Sequence, residues 1–431
     1  MMKKIKMPKQ VGWLIPGLQV KRWFALTLVG TILMTVGILI LFDIKPIFYT
    51  MQFISKVANR ISTEWLAFGL VMFGAAFFFK GWTKTNLSIL DMDNDKDDEI
   101  LLENLYRRRK LNRGPRIVAV GGGTGLSMLL SGIKNITNNI TAVVTVGDDG
   151  GSSGRLRESL GILPPGDIRH CITALADDED LVTELFKYRF KTGEGLEGHS
   201  FGNLFLTAMC AITGNMVSAI KASSNVISIR GRVLPSTLDD MKLVAEMEDG
   251  RIIHGESNIP EAKGKIRKLF CEPENCRALP EVIEAIKQAE LIILGPGSLY
   301  TSVIPNLLIK EISDEIAKSK AKKIYVCNIM SQPGETDGYA VSDHLGALIQ
   351  HSGHKIVDAV LVNNYLPENL ADKYQKSGSY PVKTDLNEIK KLGIKVCAKN
   401  LIETNKDGLV RHSSRKVARA VYYWFKKELK K

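Results

Sequence analysis

The residues of this chain best suited to chemistry lie in short glycine-rich stretches, each directly behind an apolar run. The first is Gly121-Gly122-Gly123-Thr124-Gly125, behind Ile117 to Val120. Glycines at a strand end let backbone N–H groups crowd around an anion with no Cβ in the way. Thr124 can cap the helix that follows, and the free N–H groups at a helix start favour a phosphate. The dinucleotide fingerprint is not met, because the sixth position counted from Gly121 is Leu126, where Gly or Ala is expected. A P-loop fits less well still, since no Gly-Lys-Ser/Thr follows. The alternative is a tight strand-to-helix turn with no ligand.

The second stretch, Gly147-Asp148-Asp149-Gly150-Gly151-Ser152-Ser153-Gly154-Arg155, follows the apolar run Ile140 to Val146. Asp148 and Asp149 stand roughly 20 to 30 residues past the first glycines, about where a ribose-binding acid stands in a dinucleotide fold. They are equally candidates to hold a divalent cation such as Mg²⁺ against a diphosphate. Arg155 and Arg157 can pair with phosphate oxygens. The alternative is that both acids cap a helix. The third stretch, Gly295-Pro296-Gly297-Ser298-Leu299-Tyr300-Thr301-Ser302, follows Leu291 to Leu294. Ser298, Thr301 and Ser302 can bond phosphate or cap a helix, and Tyr300 can stack on a base or sugar, or simply pack. Two further loops add candidates: Asp167 and Arg169 in Pro164-Pro165-Gly166-Asp167-Ile168-Arg169, and His199 and Asn203 in Glu197 to Asn203. Asn328 ends the next apolar run, ahead of the polar loop Gln332 to Tyr339.

These stretches need a scaffold that brings strand ends together. Short apolar runs alternating with helical segments predict an α/β fold, a doubly wound and mainly parallel Rossmann-like sheet, with the loops meeting in one crevice. Val226 to Gly255 alternates with period two around Asp249-Gly250, which predicts an antiparallel β-hairpin insertion at the sheet edge. A basic amphipathic helix is expected near Val417 to Lys427.

The first hundred residues differ in character. Lys3, Lys4, Lys6, Lys9, Lys21 and Arg22 precede Trp23 to Phe42, an uncharged stretch long enough to span a bilayer. A second apolar stretch runs from about Trp65 to Phe79, short enough that a spanning helix has to start near Ile61, and Trp23, Trp65 and Trp82 stand where interface aromatics are expected. The chain is therefore expected to carry a membrane anchor over residues 1–90, with transmembrane helices at about 23–42 and 61–80, a charged linker over 91–114 and a ligand-binding domain over 115–431. The linker's Asp93-x-Asp95-x-Asp97 starts like a calcium loop but has Asp98 where Gly is needed and Asn104 where Glu is needed. Fewer cations in the connection 43–63 than in the flanks put both ends in the cytoplasm by the positive-inside rule. If the second stretch lay in the interface instead, the domain would face outward.

The formal net charge is +12, yet no RNA- or DNA-binding motif is present, so a membrane surface rather than nucleic acid is the expected partner. The six cysteines have no zinc spacing and read as free thiols in a reducing compartment.

The ordered motifs GGGTGLS, DDGGSSGRLR, PPGDIR, EGHSFGN and GPGSLYTS resemble the gluconeogenesis-factor (YvcK) branch of the YvcK/CofD family, whose other branch is 2-phospho-L-lactate transferase. The resemblance covers roughly residues 115–425 and not the first hundred. It implies a ligand site at the residues named above, with Gly121 to Gly125 and Ser152 to Arg155 on a diphosphate. Asp148 or Asp149 would meet ribose or a cation, and Tyr300 and Asn328 the base or sugar. The implied ligand is a UDP-sugar, UDP-N-acetylglucosamine first. The implied role is a regulator of cell-envelope synthesis and cell shape under gluconeogenic growth, at the cell membrane with the domain facing the cytoplasm. Its partners would be envelope or amino-sugar enzymes, or a second copy of the chain. The other branch implies a Mg²⁺-dependent transferase moving a phospholactyl group from a nucleotide diphosphate to a flavin-like acceptor. An NAD-dependent oxidoreductase is disfavoured by Leu126 and by the lack of a proton donor near the crevice.

Overall fold

The computed structural model describes residues 110–177, 179–365, 378–404 and 410–430. Before these it describes the helix Lys45–Ala58 and isolated helical positions between 28 and 80. The chain divides into two compact units, Met1–Arg109 and Lys110–Lys431. In the first, the helix Lys45–Ala58 lies within the stretch read as a connection, with Lys56 in its last turn. Among the described residues no single helix is long and apolar enough to cross a membrane. The expected spans at 23–42 and 61–80 lie almost wholly outside the described residues.

The second unit is built on a parallel sheet. Its strands are β1 (Ile117–Gly121), β2 (Ile140–Val144), β3 (Arg232–Pro235), β7 (Leu291–Leu294), β8 (Lys322–Val326), β9 (Ala359–Asn363) and β10 (Lys395–Lys399). Their spatial order is β10-β9-β8-β7-β1-β2-β3, with every pairing parallel. β1 is central and buried along its whole length. Its alternate residues feed two cores: Ile117 and Ala119 on one face, Val118 and Val120 on the other. Burial on both faces is why these strands read as continuous apolar runs. After β1 the chain moves to β2 on one side, and it later returns to β7 on the other. This reversal of direction leaves a crevice beyond the carboxyl ends of β1 and β7, where open α/β sheets bind ligands.

Helix α1 (Gly123–Ile133) follows β1 and α2 (Gly151–Leu160) follows β2. Then come α3 (Gly166–Leu175), α4 (Glu179–Lys187) and α5 (Phe201–Thr213). α1 buries Leu126, Leu129, Leu130 and Ile133 against Ile168 and Ile172 of α3 and against Val417, Val421, Trp424 and Phe425 of the last helix, α6 (Ser414–Glu428). α6 matches the expected basic amphipathic helix and is a few residues longer.

The opposite face of the sheet is covered by helices and by the insertion. β4 (Lys242–Met247) pairs antiparallel with β5 (Ile252–His254) and β6 (Ile266–Glu272), giving a separate sheet whose Leu243, Ala245, Leu269 and Cys271 enter the main core. The Asp249-Gly250 turn joins β4 to β5 as expected. The expected start of the insertion needs correction, because Arg232–Pro235 joins the parallel sheet beside β2. Its apolar Val233 and Leu234 are buried, so period-two alternation there reflects a parallel edge strand rather than a hairpin. A last pair, β11 (Ile402–Thr404) and β12 (Val410–His412), is antiparallel.

Gly132 sets the contact between α1 and α6. A Cβ at this position would stand 2.1 Å from the Ser414 carbonyl oxygen and 2.8 Å from Ala418 Cβ. Gly132→Val is expected to force the two helices apart and to cost about 1 to 3 kcal/mol, as overpacking does. A lower urea midpoint with an unchanged slope would show it.

Candidate functional site

The crevice is a cleft of about 890 Å³. Its floor is the first glycine turn. Gly122 is extended and α1 begins at Gly123, whose φ of +57° lies in the region glycine favours. No side chain caps this helix start, so Thr124 does not play the capping role its position suggested. Gly125 is glycine for want of room, since a Cβ there would be 2.4 Å from the Pro296 carbonyl oxygen. The first and third turns therefore touch through backbone alone.

The third turn is held from within the chain. Glu335, from the polar loop, is buried and accepts from Tyr300 N and from Thr301 Oγ1, each at 3.4 Å. Burial pushes its carboxyl up to about 7. Gln332 Nε2 donates to Ser298 Oγ at 2.6 Å, and Asn328 Nδ2 donates to Gln332 Oε1 at 3.0 Å. Gly297, Ser298, Thr301 and Asn328 line the cleft, as does the run Ile329 to Gln332. Tyr300 does not. Its hydroxyl is 2.7 Å from that of Tyr339, its side chain is buried, and it packs rather than stacks on a ligand.

The second turn divides its acids. Asp148 lines the cleft and accepts from Gly150 N at 3.0 Å. Burial, and then the charge of Asp167, raise its pKa. Asp149 turns toward the insertion, where its two oxygens accept from Glu256 N and Ser257 N, each at 2.9 Å. Gly150, Gly151 and Ser152 are not part of the lining either. Ser152 accepts from Asn203 Nδ2 at 3.0 Å and lies 2.9 Å from His199 Nδ1. Ser153 Oγ accepts from Gly166 N at 3.1 Å, and Arg155 donates to the Glu197 carbonyl at 2.9 Å. His199, Asn203, Ser152, Ser153 and Arg155 thus brace the second turn from behind. Arg157 is likewise engaged, donating to Asp240 Oδ1 at 2.8 Å and to the Met241 carbonyl at 2.7 Å. Gly121, the last residue of β1, is buried beneath the floor.

Asp167 and Arg169 both reach the cleft. The Asp167 carboxylate rests against the first turn, so close that a Cβ on Gly122 would be 2.4 Å from its Oδ2. Arg169 is almost fully buried. It donates to the Phe186 carbonyl at 3.3 Å and lies 2.6 Å from His170 Nε2, while its own Nε has no partner. Burial and the neighbouring Arg189 depress its pKa. A guanidinium that lines a cleft is a ready donor to a ligand oxygen.

Several lining residues escaped the sequence reading. Glu256 comes from the insertion, Thr183, Phe186 and Lys187 from α4, and Glu403, Arg411 and His412 from the last hairpin. The Asp407-Gly408 pair between two short apolar runs was a usable hairpin signal for that last group. Nothing local pointed to Glu256. Burial, and then Asp148, push its carboxyl up to about 8. Burial holds His412 down at about 4, so it is a neutral imidazole at neutral pH.

The cleft thus carries acids at Asp148, Asp167, Glu256 and Glu403, cations at Arg169, Lys187 and Arg411, and free backbone at the glycine turn. Such a set can hold an anionic group and hydroxyl groups together. Among the described residues no three His, Cys, Asp or Glu side chains are grouped as a metal cage. A Mg²⁺ ion held mainly by a ligand's phosphates needs only one or two carboxylates. Asp148 is placed to supply one, whereas both oxygens of Asp149 are already engaged.

A family model described as 2-phospho-L-lactate transferase CofD matches residues 117–402. The gluconeogenesis factor of Bacillus subtilis is 49% identical over 309 residues, covering 72% of this chain and 97% of that protein. A protein of Nostoc sp. is 50% identical over 420 residues, covering 96% of this chain and 92% of its own length, so that likeness extends into the N-terminal unit. The crystal structure of protein BH3568 from Bacillus halodurans has a TM-score of 0.70 at 46% identity, covering 72% of this chain and 100% of that one.

The elevated carboxyl of Glu256 has a consequence for stability. Between its ordinary value of 4.5 and about 8, the unfolded chain has released a proton that the folded chain still holds. Stability from this group therefore falls as pH rises through that window and levels off above it. Glu256→Gln is expected to match the parent at pH 4 and to exceed it at pH 8.5 by about 1 to 3 kcal/mol. Urea unfolding at the two pH values would measure the difference.

Proposed function

Because the chain belongs to the 2-phospho-L-lactate transferase CofD family, and within it to the gluconeogenesis-factor branch, we propose that its cleft binds a nucleotide sugar as a regulatory ligand. UDP-N-acetylglucosamine is the preferred candidate. The observation that carries this reading is one cleft at the sheet's point of reversal, combining the glycine turn Gly122 to Gly125, the guanidinium of Arg169 and the carboxyl groups of Asp148 and Asp167. Backbone N–H groups and Arg169 suit a diphosphate. Carboxylates suit ribose or sugar hydroxyls. In this reading ligand binding reports carbon status to envelope synthesis and cell shape. The N-terminal unit anchors the protein to the membrane, with the Lys110–Lys431 unit in the cytoplasm. A protease added outside intact cells should then leave that unit uncut, and cleavage there would refute the orientation.

The family description favours a second reading, a transferase that moves a phospholactyl group from a nucleotide diphosphate to a flavin-like hydroxyl. There Asp148 would hold Mg²⁺, which would neutralise charge on the diphosphate.

Calorimetry on the full chain with UDP-N-acetylglucosamine, GDP and NAD⁺, with and without Mg²⁺, separates the two. The regulator predicts nanomolar-to-micromolar UDP-sugar binding that survives EDTA, with the ligand recovered unchanged. GDP binding that requires Mg²⁺, with no UDP-sugar signal, would replace the regulator with the transferase.

A further inference from the structure

Glu256 reaches the cleft from the antiparallel insertion, and its delivery is built into the fold. It follows β5 at the tip of the antiparallel insertion, and the tip is pinned on two sides. Asp149, in the second glycine turn, takes the main-chain N–H groups of Glu256 and Ser257 on its two oxygens at 2.9 Å each. Gly255 approaches the same carboxylate so closely that a Cβ there would be 2.6 Å from Asp149 Oδ2, and its φ is +96°. From the other side, Gly334 packs on Pro260, where a Cβ would stand 2.0 Å from the Pro260 carbonyl oxygen. Asn258 Nδ2 closes the tip by donating to the His254 carbonyl at 2.9 Å. A segment held this way presents its side chain in one place. That place is the cleft, where Glu256 feels the charges of Asp148 and Asp167.

A single acid beside a glycine turn would suit ribose. Three carboxyl groups brought together by three separate parts of the chain define a local environment of their own. They accept hydrogen bonds from O–H and N–H groups, and above about pH 8, where Glu256 has lost its proton, they repel a further phosphate placed among them.

We propose that Glu256 is a specificity-determining residue of this cleft, forming with Asp148 and Asp167 a wall that takes the hydroxyl-bearing glycosyl end of the ligand and rejects a third phosphate at the same position. Asp149 is its positioning residue. This inference rests on the nucleotide-sugar reading and adds which end of the ligand lies where. The selected class is a nucleoside diphosphate carrying a polyhydroxylated group. A bare diphosphate leaves the wall without donors, and a triphosphate sets like charge against it.

The test is titration calorimetry at about pH 9, where Glu256 has lost its proton, on the full chain with UDP-N-acetylglucosamine, UDP and UTP, for the parent, Glu256→Gln, Glu256→Ala and Asp149→Ala. The parent should bind the UDP-sugar about tenfold or more tighter than UDP, and UTP more weakly than UDP. Both Glu256 variants should lose about tenfold in UDP-sugar affinity, leave UDP unchanged and strengthen UTP. Asp149→Ala should shift the same ratios in the same direction, because it frees the tip without touching the ligand. A purely structural role would weaken all three ligands together, and this outcome, or unchanged ratios in the Glu256 variants, overturns the inference while leaving the nucleotide-sugar reading intact. A parent that binds none of the three ligands removes that reading, and the inference with it. Glu256→Gln keeps the side chain's shape, so its ratios remain readable even if Glu256→Ala or Asp149→Ala folds poorly.

Discussion

The site depends on one steric constraint, the backbone contact between the first and third glycine turns. β1 and β7 are adjacent and in register, with Val120 opposite Leu294, so the chain leaves both strands at the same level. Any side chain on Gly125 would collide with Pro296 and Gly297 and push the two turns apart. With no side chain there, α1 starts directly at the strand end and its first N–H groups stay uncovered by Cβ atoms. The same closeness lets Asp167 rest against Gly122. A bulkier floor would have separated the acid from the turn, and the cleft would have lost the proximity of carboxylate and backbone amide that defines it.

Around that contact the polar residues divide by task. Some face the cleft, and others hold them there. Ser152, His199 and Asn203 form a buried cluster beneath the second turn, while Ser153 ties that turn to the start of α3 through Gly166 N. Arg157 anchors α2 to Asp240. Glu335 fills, with a carboxylate of the chain's own, the helix start behind the third turn. Each of these is a buried polar group with a defined partner, and such support is what makes a site rigid enough to select among ligands. Arg169 stands apart, because it lines the cleft while its buried Nε is left without a partner. Its depressed pKa follows from burial beside Arg189, and a ligand anion would relieve both the missing bond and the like-charge contact.

Five parts of the chain supply the cleft's charged groups: the two turns after β2 and before α3, the insertion, α4 and the last hairpin. The insertion is the addition with most effect on chemistry. It packs its apolar face into the main core through Leu243, Ala245 and Leu269, and it carries one carboxyl group into the cleft. A separate antiparallel sheet thereby becomes part of the cleft rather than an ornament at the sheet edge.

The sequence alone determined a great deal here. Unbroken apolar runs at Ile117, Ile140 and Leu291 predicted buried parallel strands, and glycines immediately after them predicted turns open to an anion, because both features are local and follow from backbone sterics. The ordered motifs led to the family. The cleft-facing role of Gly122 to Gly125, Asp148, Asp167, Arg169, Ser298 and Asn328 was likewise legible, since each sits at a strand end or in the first turn of a helix. Only the tertiary structure decided the direction of side chains from one loop. Asp148 and Asp149 are neighbours of the same type, yet one faces the cleft and the other grips main chain more than a hundred residues away. Tyr300 and His199 look like ligand contacts in sequence and are packing and bracing residues in the fold. Glu256 and Lys187 gave no local sign at all, and for Arg411 the Asp407-Gly408 pair signalled a hairpin but not where it would dock. Their place depends on long-range packing of the insertion, α4 and the last hairpin, and no periodicity or spacing within a short window encodes which distant segment a loop will meet.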